Sequence, residues 1–243
     1  IGSSRNLTKN SKKKHTTKCQ DKMRNLALFD IEQNFVEKNG LVVIEAENFA
    51  SQVLADKRRW LVFKEGDGVN SKGLLDDPDV PHTTGASGNS YIEILPDNRT
   101  NHDEKLIPGE NFTNQAGAMA VLSYPVYFST SGRYYIWGRA FSTGPEDNGF
   151  HFGLDGEWQE SSQRLQFCKG KHQWTWSSQQ RRPENHCGTP NTLWIDVDKA
   201  GPHTLMMSMR EDGAELDKII LTNSMLGYHI ITISMPIIKY TII

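Results

Sequence analysis

Two acidic segments near the ends of the chain have the residue types of a metal site. Glu45 and Glu47 are separated by one residue in an apolar run. Side chains two positions apart on a strand point the same way, so these carboxylates would repel each other unless a cation lies between them. Calcium, a hard cation that takes oxygen ligands, is the simplest candidate. If Asp217 comes alongside, one ion joins the first and last strands; the alternative is two solvated glutamates on an edge strand.

The elements that would position these carboxylates are predicted to be strands. Short apolar runs alternate with clusters of Gly, Pro, Asn and Asp from about residue 40 onward, and the one helix that we expect is a short lead-in near Ile31–Glu37. Ten short strands with frequent turns predict an all-β, antiparallel β-sandwich or jelly roll. The predicted strands are Leu41–Glu47, Arg59–Phe63, Ser90–Leu95, Met119–Phe128, Arg133–Ser142, Phe150–Asp155, Gln173–Ser178, Thr192–Val197, Pro202–Arg210 and Glu215–Thr222.

Charge is distributed unevenly along the 243 residues, which carry a formal net charge of −2. Residues 1–35 form a polar, basic segment without apolar periodicity, which we interpret as a disordered tail or linker. It has no apolar core of a signal peptide, and nothing later in the chain is typical of a nucleic-acid module. The chain begins with Ile, so we expect it to be part of a longer protein. Residues 224–243 form an apolar extension of unknown role, too interrupted by Pro236 for a membrane-spanning helix.

The three cysteines differ in their setting. Cys168 and Cys187 bracket a polar segment that contains two tryptophans, and a disulfide between them would restrain that excursion in an oxidising compartment. Cys19 lies in the basic tail and is left over. The pair His186-Cys187 alone is weak evidence for zinc.

The order of several short motifs resembles a known group of β-sandwiches. The motifs are Ile44-Glu45-Ala46-Glu47-Asn48-Phe49, Tyr91-Ile92-Glu93, Ser131-Gly132-Arg133-Tyr134-Tyr135-Ile136-Trp137-Gly138-Arg139-Ala140, Gly153-Leu154-Asp155-Gly156, Gly201-Pro202-His203-Thr204-Leu205 and Leu216-Asp217-Lys218-Ile219. Together they resemble the galactose-binding-like fold of family-6 and family-35 carbohydrate-binding modules, and the related C-terminal module of family-115 glycoside hydrolases. The resemblance covers about residues 36–223.

That resemblance implies both a metal and a ligand. It implies a structural calcium held by Glu45, Glu47 and Asp217. It also implies a non-catalytic module that binds polysaccharide and holds an appended catalytic domain near its substrate. In such modules the sugar site lies in loops at one end of the sandwich and uses exposed aromatic residues and a polar amide.

Eight residues are candidates for contact with sugar, because pyranose rings stack on aromatic faces while planar polar groups bind the hydroxyls. They are Trp158, Trp174, Trp176, Asp147, Asn148, Arg210, Glu211 and Asp212. Each has a structural alternative. The tryptophans could pack in the core, Asp147-Asn148 could serve turn chemistry, and the charged turn at 210–212 could be solvated or internally paired.

A cationic stretch at Ser161–Pro183 bears on the kind of sugar. It contains five Lys or Arg residues and no Asp or Glu: Arg164, Lys169, Lys171, Arg181 and Arg182. Arg binds sulfate or carboxylate groups bidentately, so the stretch could accept an anionic or sulfated polysaccharide, a galactan-type one among them. The alternative is a solvated hairpin.

Three functions remain open from the sequence. The first is the non-catalytic carbohydrate-binding module, outside the cell, in the periplasm or at the cell surface, without nucleic-acid or membrane partners. The second is a glycoside hydrolase or lyase, although no motif marks a pair of catalytic carboxylates among Glu110, Glu160, Glu211 and Asp212. The third is an adhesion module that binds protein, since sandwiches host many functions.

Overall fold

The computed structural model describes residues 35–68 and 79–224. The predicted basic tail, apart from Phe35, and the apolar extension, apart from Ser224, lie outside the described residues, as does Cys19. Thirteen strands and two short 3-10 helices, at Ser87–Asn89 and Glu160–Ser162, make up the regular structure of the described part. The strands are β1 (Phe35–Val36), β2 (Leu41–Glu45), β3 (Ser51–Val53), β4 (Arg59–Lys64), β5 (Ser90–Leu95), β6 (Val121–Phe128), β7 (Gly132–Phe141), β8 (Gly149–Leu154), β9 (Leu165–Gln166), β10 (Thr175–Ser177), β11 (Trp194–Val197), β12 (Gly201–Met209) and β13 (Glu215–Thr222).

The strands form two sheets. The first has the order β1-β6-β12-β8-β9, with β3 also on β6. The second has the order β10-β7-β13-β5-β4, with β11 also on β7 and β2 also on β13. Every pairing is antiparallel except β1 with β6. The predicted all-β sandwich of the jelly-roll type is therefore confirmed.

Alternation of apolar and polar residues places the core between the sheets. Ile44, Ile92 and Leu216 of the second sheet and Leu122 and Phe152 of the first are fully buried in one hydrophobic cluster. Because neighbouring positions on a strand face opposite ways, the residues between them, such as Glu93 and Glu215, lie on the outer face of the second sheet. That outer face is covered by loops and carries much of the charged structure described below.

The predicted lead-in helix near Ile31–Glu37 is wrong in its described part. Phe35 and Val36 form β1 and pair in parallel with Val126 and Tyr127 of β6. Pairing to an existing sheet edge outweighs a weak local helix preference in so short a segment. In the described ranges, no helix is long and apolar enough to cross a membrane.

The first and last long strands bring the two ends of the domain together. β2 and β13 pair from Glu45–Lys218 to Leu41–Thr222, and the Asn223 N–H donates to the Gly40 carbonyl at 3.0 Å. Gly40 has a φ of 78°, and the space where a side chain would begin is filled by Asn223. A residue without a side chain is therefore required where the chain turns into β2.

Candidate functional site

Glu45, Glu47 and Asp217 lie where the opening and closing strands meet. Glu45 is opposite Lys218 in the ladder, and the Ala46 N–H donates to the Asp217 carbonyl at 2.9 Å. The predicted approach of the two strands is thus confirmed, whereas the role of the three carboxylates as metal ligands stays a prediction.

Cationic side chains of the protein already pair with two carboxylates of this acidic cluster. Arg139 forms an ion pair with Asp217 and donates to the Gly85 carbonyl at 2.9 Å, while the Ser87 N–H donates to Asp217 at 2.8 Å. Lys218 Nζ lies 2.9 Å from Glu45 Oε1. Asp217 is therefore fully committed to internal partners. Among the described residues, the ligand atoms of the three predicted metal residues do not all lie within 4.8 Å of one another.

Two oxygens of the cluster nevertheless fit a cation. Glu45 Oε2 and Glu47 Oε2 are buried and have no hydrogen-bond partner in the described part of the chain. Burial raises the pKa of Glu47 to about 7, and repulsion from Glu45 and Asp217 adds to the effect. Unpaired buried carboxylate oxygens are costly, and oxygen ligands of this kind suit calcium. Glu45 and Glu47 therefore fit the ion that the sequence predicts.

The five polar candidates in the end loops lie together, but they are buried. Asp147 accepts hydrogen bonds from the Thr143 N–H at 2.6 Å and from Ser142 Oγ at 2.6 Å, and so closes its own turn. Asn148 donates its backbone N–H to Glu211 at 3.0 Å and its side-chain amide to the Pro145 carbonyl at 2.9 Å. Both side chains thus stabilise the loop between β7 and β8.

The charged turn between β12 and β13 is equally internal. Arg210 is 1% exposed and pairs with Glu211, while Asp212 accepts from Arg58 at 2.9 Å and from the Asn98 N–H at 3.0 Å. Burial raises the pKa of Glu211 and of Asp212 and lowers the pKa of Arg210. Of the two structural alternatives, internal pairing describes this turn. Direct contact of these side chains with sugar has no support in this geometry.

The three predicted tryptophans are half-buried and lie apart. Trp158 packs against Gly117 and Gly153. Trp174 makes edge contacts with Tyr91 and Phe141 and donates Nε1 to the His82 carbonyl at 3.1 Å.

Trp176, by contrast, packs beside Trp137 and Ile220 in a different cluster from that of Trp174. Its Nε1 is buried without a partner among the described residues. The structure therefore does not combine the three rings into one platform.

A surface groove of about 640 Å³ lies beside β11. The side chains that define it are an indole, two amides, three guanidinium groups and three carboxylates: Trp194, Gln159, Gln180, Arg133, Arg164, Arg182, Glu160, Glu184 and Asp196. An aromatic ring with planar polar groups around it can stack on a sugar ring and bind its hydroxyls.

The groove is held in shape by its own contacts. Arg133 lies over the Trp194 ring at 4.4 Å and forms a two-point ion pair with Asp196 at 2.9 and 3.1 Å. Gln159 hydrogen-bonds both the N–H and the carbonyl of Asp196, at 2.9 and 3.1 Å. The sequence reasoning missed Trp194, yet β11 alternates half-buried Trp194 and exposed Asp196 with buried Ile195 and Val197. That alternation was the available signal.

The cationic stretch is divided by the fold. Arg164 and Arg182 line the groove, and Arg164 pairs with Glu160. Lys171 turns the other way and donates to Ser142 and Gly144, and burial lowers its pKa. The five cations therefore do not form one patch.

The predicted disulfide between Cys168 and Cys187 is confirmed, with the two Cα atoms 5.6 Å apart. It closes the segment that contains β10 and four groove residues, Gln180, Arg182, Pro183 and Glu184. The link therefore restrains one wall of the groove.

The fold and the groove define a small all-β module with a surface site. Residues 69–229, which are more than half of the chain, match the family described as the glycosyl hydrolase family 115 C-terminal domain. The chain therefore belongs to that family.

Similarity to individual proteins adds a relative and a set of folds. The chain is 50% identical over 190 residues to Uncharacterized protein P23 of Formosa agariphila, a match that covers 78% of this chain and 45% of that protein. The chain thus spans less than half the length of that relative.

Among solved structures, the family 35 module of Paenibacillus barcinonensis shares 14% identity at a TM-score of 0.42, covering 75% of this chain and 98% of that one. The C-terminal family 6 module of a marine laminarinase from Zobellia galactanivorans shares 19% identity at a TM-score of 0.38, covering 75% and 99%. At these scores the similarities carry no argument about a ligand.

Proposed function

We propose that this domain is a non-catalytic carbohydrate-binding module that holds an appended catalytic domain against polysaccharide. The observation that carries the proposal is the groove beside Trp194, which joins an aromatic ring to amide and guanidinium groups. Membership of a family of C-terminal domains of glycosyl hydrolases supports an accessory role. Tethering raises the effective concentration of an enzyme at its substrate, so even modest affinity would be useful.

The charges of the groove favour a polysaccharide with few anionic groups. Arg133 is neutralised by Asp196 and Arg164 by Glu160, so the arginines and carboxylates of the lining balance in number. An anionic or sulfated polysaccharide, expected from the cationic stretch, is the alternative. It would have to displace these carboxylates, and its binding would weaken steeply with salt.

Affinity electrophoresis or calorimetry on neutral and sulfated polysaccharides tests the proposal at low and high salt. We expect binding of a neutral polysaccharide that salt hardly affects. Trp194→Ala should weaken it about tenfold, because apolar contact with an indole, here one whose ring lies under Arg133, is worth about 1 kcal/mol. Trp158→Ala, outside the groove, is the matched control.

Undiminished binding in Trp194→Ala would remove the groove from the proposal. Release of sugar from the same substrates by the isolated chain would instead favour a glycoside hydrolase or lyase. Binding to a protein, with no binding to any glycan tested, would favour an adhesion module.

A calcium ion held by Glu45 and Glu47, with Asp217 beside them, is part of the proposal. The two unpartnered buried carboxylate oxygens support it. An ion that binds only the folded state stabilises it by mass action. Chelator should therefore lower the melting temperature of the wild-type chain but not of Glu45→Gln, with Glu157→Gln, an exposed glutamate, as control. A melting temperature indifferent to chelator would show that these carboxylates hold no calcium.

We also propose that the domain works outside the cell, in the periplasm or at the cell surface. The disulfide supports this, because such links persist in oxidising compartments.

A further inference from the structure

A second cluster of metal-binding side chains lies on the outer face of the second sheet, away from Glu45 and Glu47. Glu215 at the start of β13 is opposite Glu93 of β5 on one side and Phe141 of β7 on the other. Each of the two glutamates is 2% exposed. Two carboxylates are therefore held side by side away from water, which is costly without compensating positive charge.

The segment that covers this face adds two more metal-binding groups. The ligand atoms of Asp79, His82 and Glu215 all lie within 4.8 Å of one another. His82 Nδ1 is 2.7 Å from Glu215 Oε1. Donors bound about 2.1 Å from a tetrahedral ion lie roughly 3.4 Å apart, so one ion could be reached by all three with small shifts of the side chains.

His82 is fixed in position by neighbours on three sides. Its ring stacks on Phe141 at 3.8 Å, its backbone N–H donates to the Tyr91 hydroxyl at 3.1 Å, and its carbonyl accepts from Trp174 Nε1 at 3.1 Å. These contacts hold the ring with Nδ1 directed at Glu215. A metal site needs an imidazole whose orientation is fixed by its surroundings, and these contacts supply that for His82.

We propose that Asp79, His82 and Glu215 bind a divalent transition-metal ion, with zinc the most suitable, and that Glu93 supports the site from the neighbouring strand. An imidazole donor beside carboxylates favours such an ion over calcium, which takes oxygen ligands alone. The ion would join the covering segment to β13 and so fix the loop that contacts Trp174. This site differs from the calcium site in both its residues and its donor atoms.

The test uses the untagged full chain, stripped of metal and titrated with zinc chloride and, separately, calcium chloride. Calorimetry should show one equivalent of bound zinc. His82→Asn and Asp79→Asn should each abolish this binding or weaken it at least tenfold, and calcium should not compete with zinc. Replacing zinc with cobalt(II) should produce visible absorption that disappears in the same variants.

The matched control is His203→Asn. His203 Nδ1 lies 2.5 Å from Asp155 Oδ2, a histidine–carboxylate pair that belongs to no three-ligand group among the described residues, and its loss should leave zinc binding unchanged. Asp79 is half-exposed, so Asp79→Asn keeps the test decisive if His82→Asn fails to fold. Zinc stoichiometry and affinity unchanged in Asp79→Asn, or an equal loss in His203→Asn, would overturn the proposal.

Discussion

Removal of the Cys168–Cys187 disulfide offers the most quantitative prediction. The link joins residues 19 apart in sequence, so it closes a loop of about 20 residues in the unfolded chain. The chain-entropy relation gives about 3 kcal/mol of stabilisation for a loop of that length. We expect Cys168→Ser/Cys187→Ser to lose about that much free energy of unfolding.

The segment itself should stay in place in the double variant, because other bonds hold it. Ser177 Oγ donates to the Gln166 carbonyl at 2.7 Å, and Ser178 Oγ accepts from the Asn191 N–H at 2.7 Å. The loss should therefore come from the greater freedom of the unfolded chain, not from a rearranged fold, and sugar binding in the groove should weaken far less than stability.

Urea unfolding measures the effect. With a slope of about 2 kcal/mol per molar urea, the midpoint should fall by about 1.5 M at unchanged slope. Cys19→Ser, which removes a sulfur atom but keeps the Cys168–Cys187 link, is the control, and the shift is measured against it. A midpoint lowered by less than about 0.5 M would refute the loop-entropy reasoning. An unchanged slope together with lost sugar binding would refute the claim that other bonds hold the groove wall.

Three further predictions concern buried charges. Glu211→Gln leaves the Arg210 guanidinium buried without its partner and should lower the free energy of unfolding by about 3–5 kcal/mol in urea, with a loss below 1 kcal/mol contradicting the pair's role. Burial lowers the pKa of His151 to about 3, below its usual 6.5. The stability present above pH 6.5 should therefore fall on acidification, by up to about 1.4 kcal/mol per pH unit. Urea unfolding at a series of pH values should show that His151→Asn removes this dependence. The raised pKa of Glu47 has the opposite effect on stability. In chelator, the stability present below pH 4.5 should be lost as the pH rises to about 7. A Glu47→Gln variant that kept this loss would show that Glu47 is not its cause.

The strands could be predicted from the sequence because their signal is local. Short apolar runs between clusters of Gly, Pro, Asn and Asp located ten of the strands, the three-residue β10 among them, whereas β1, β3 and β9, with two or three residues each, gave no such signal. The helix predicted at Phe35–Val36 is wrong for a related reason. The edge of β6 that this segment joins is more than 80 residues away in sequence, so no local pattern could indicate the pairing.

The candidate site was harder to predict because it depends on which loops meet. A turn with Arg210, Glu211 and Asp212 resembles solvated surface in sequence, and its burial follows only when Arg58, Asn98 and Asn148 arrive from three other segments. The groove beside Trp194 likewise combines residues from four separate stretches of chain. No local sequence pattern predicts which loops come into contact. Once a structure is known, these contacts are recognised because charged side chains, which are rarely buried, are buried there.

The adjacency of Gly40 and Asn223 bears on how such a unit could be spliced into larger proteins. Incoming and outgoing chain pass within one hydrogen bond of each other, at 3.0 Å. A host loop could therefore receive this unit without being stretched apart, and the unit could equally follow another domain as a pendant. Pulling on both flanking segments at once would first load the pairing of Phe35 and Val36 with β6, and then open the β2–β13 ladder one residue pair at a time.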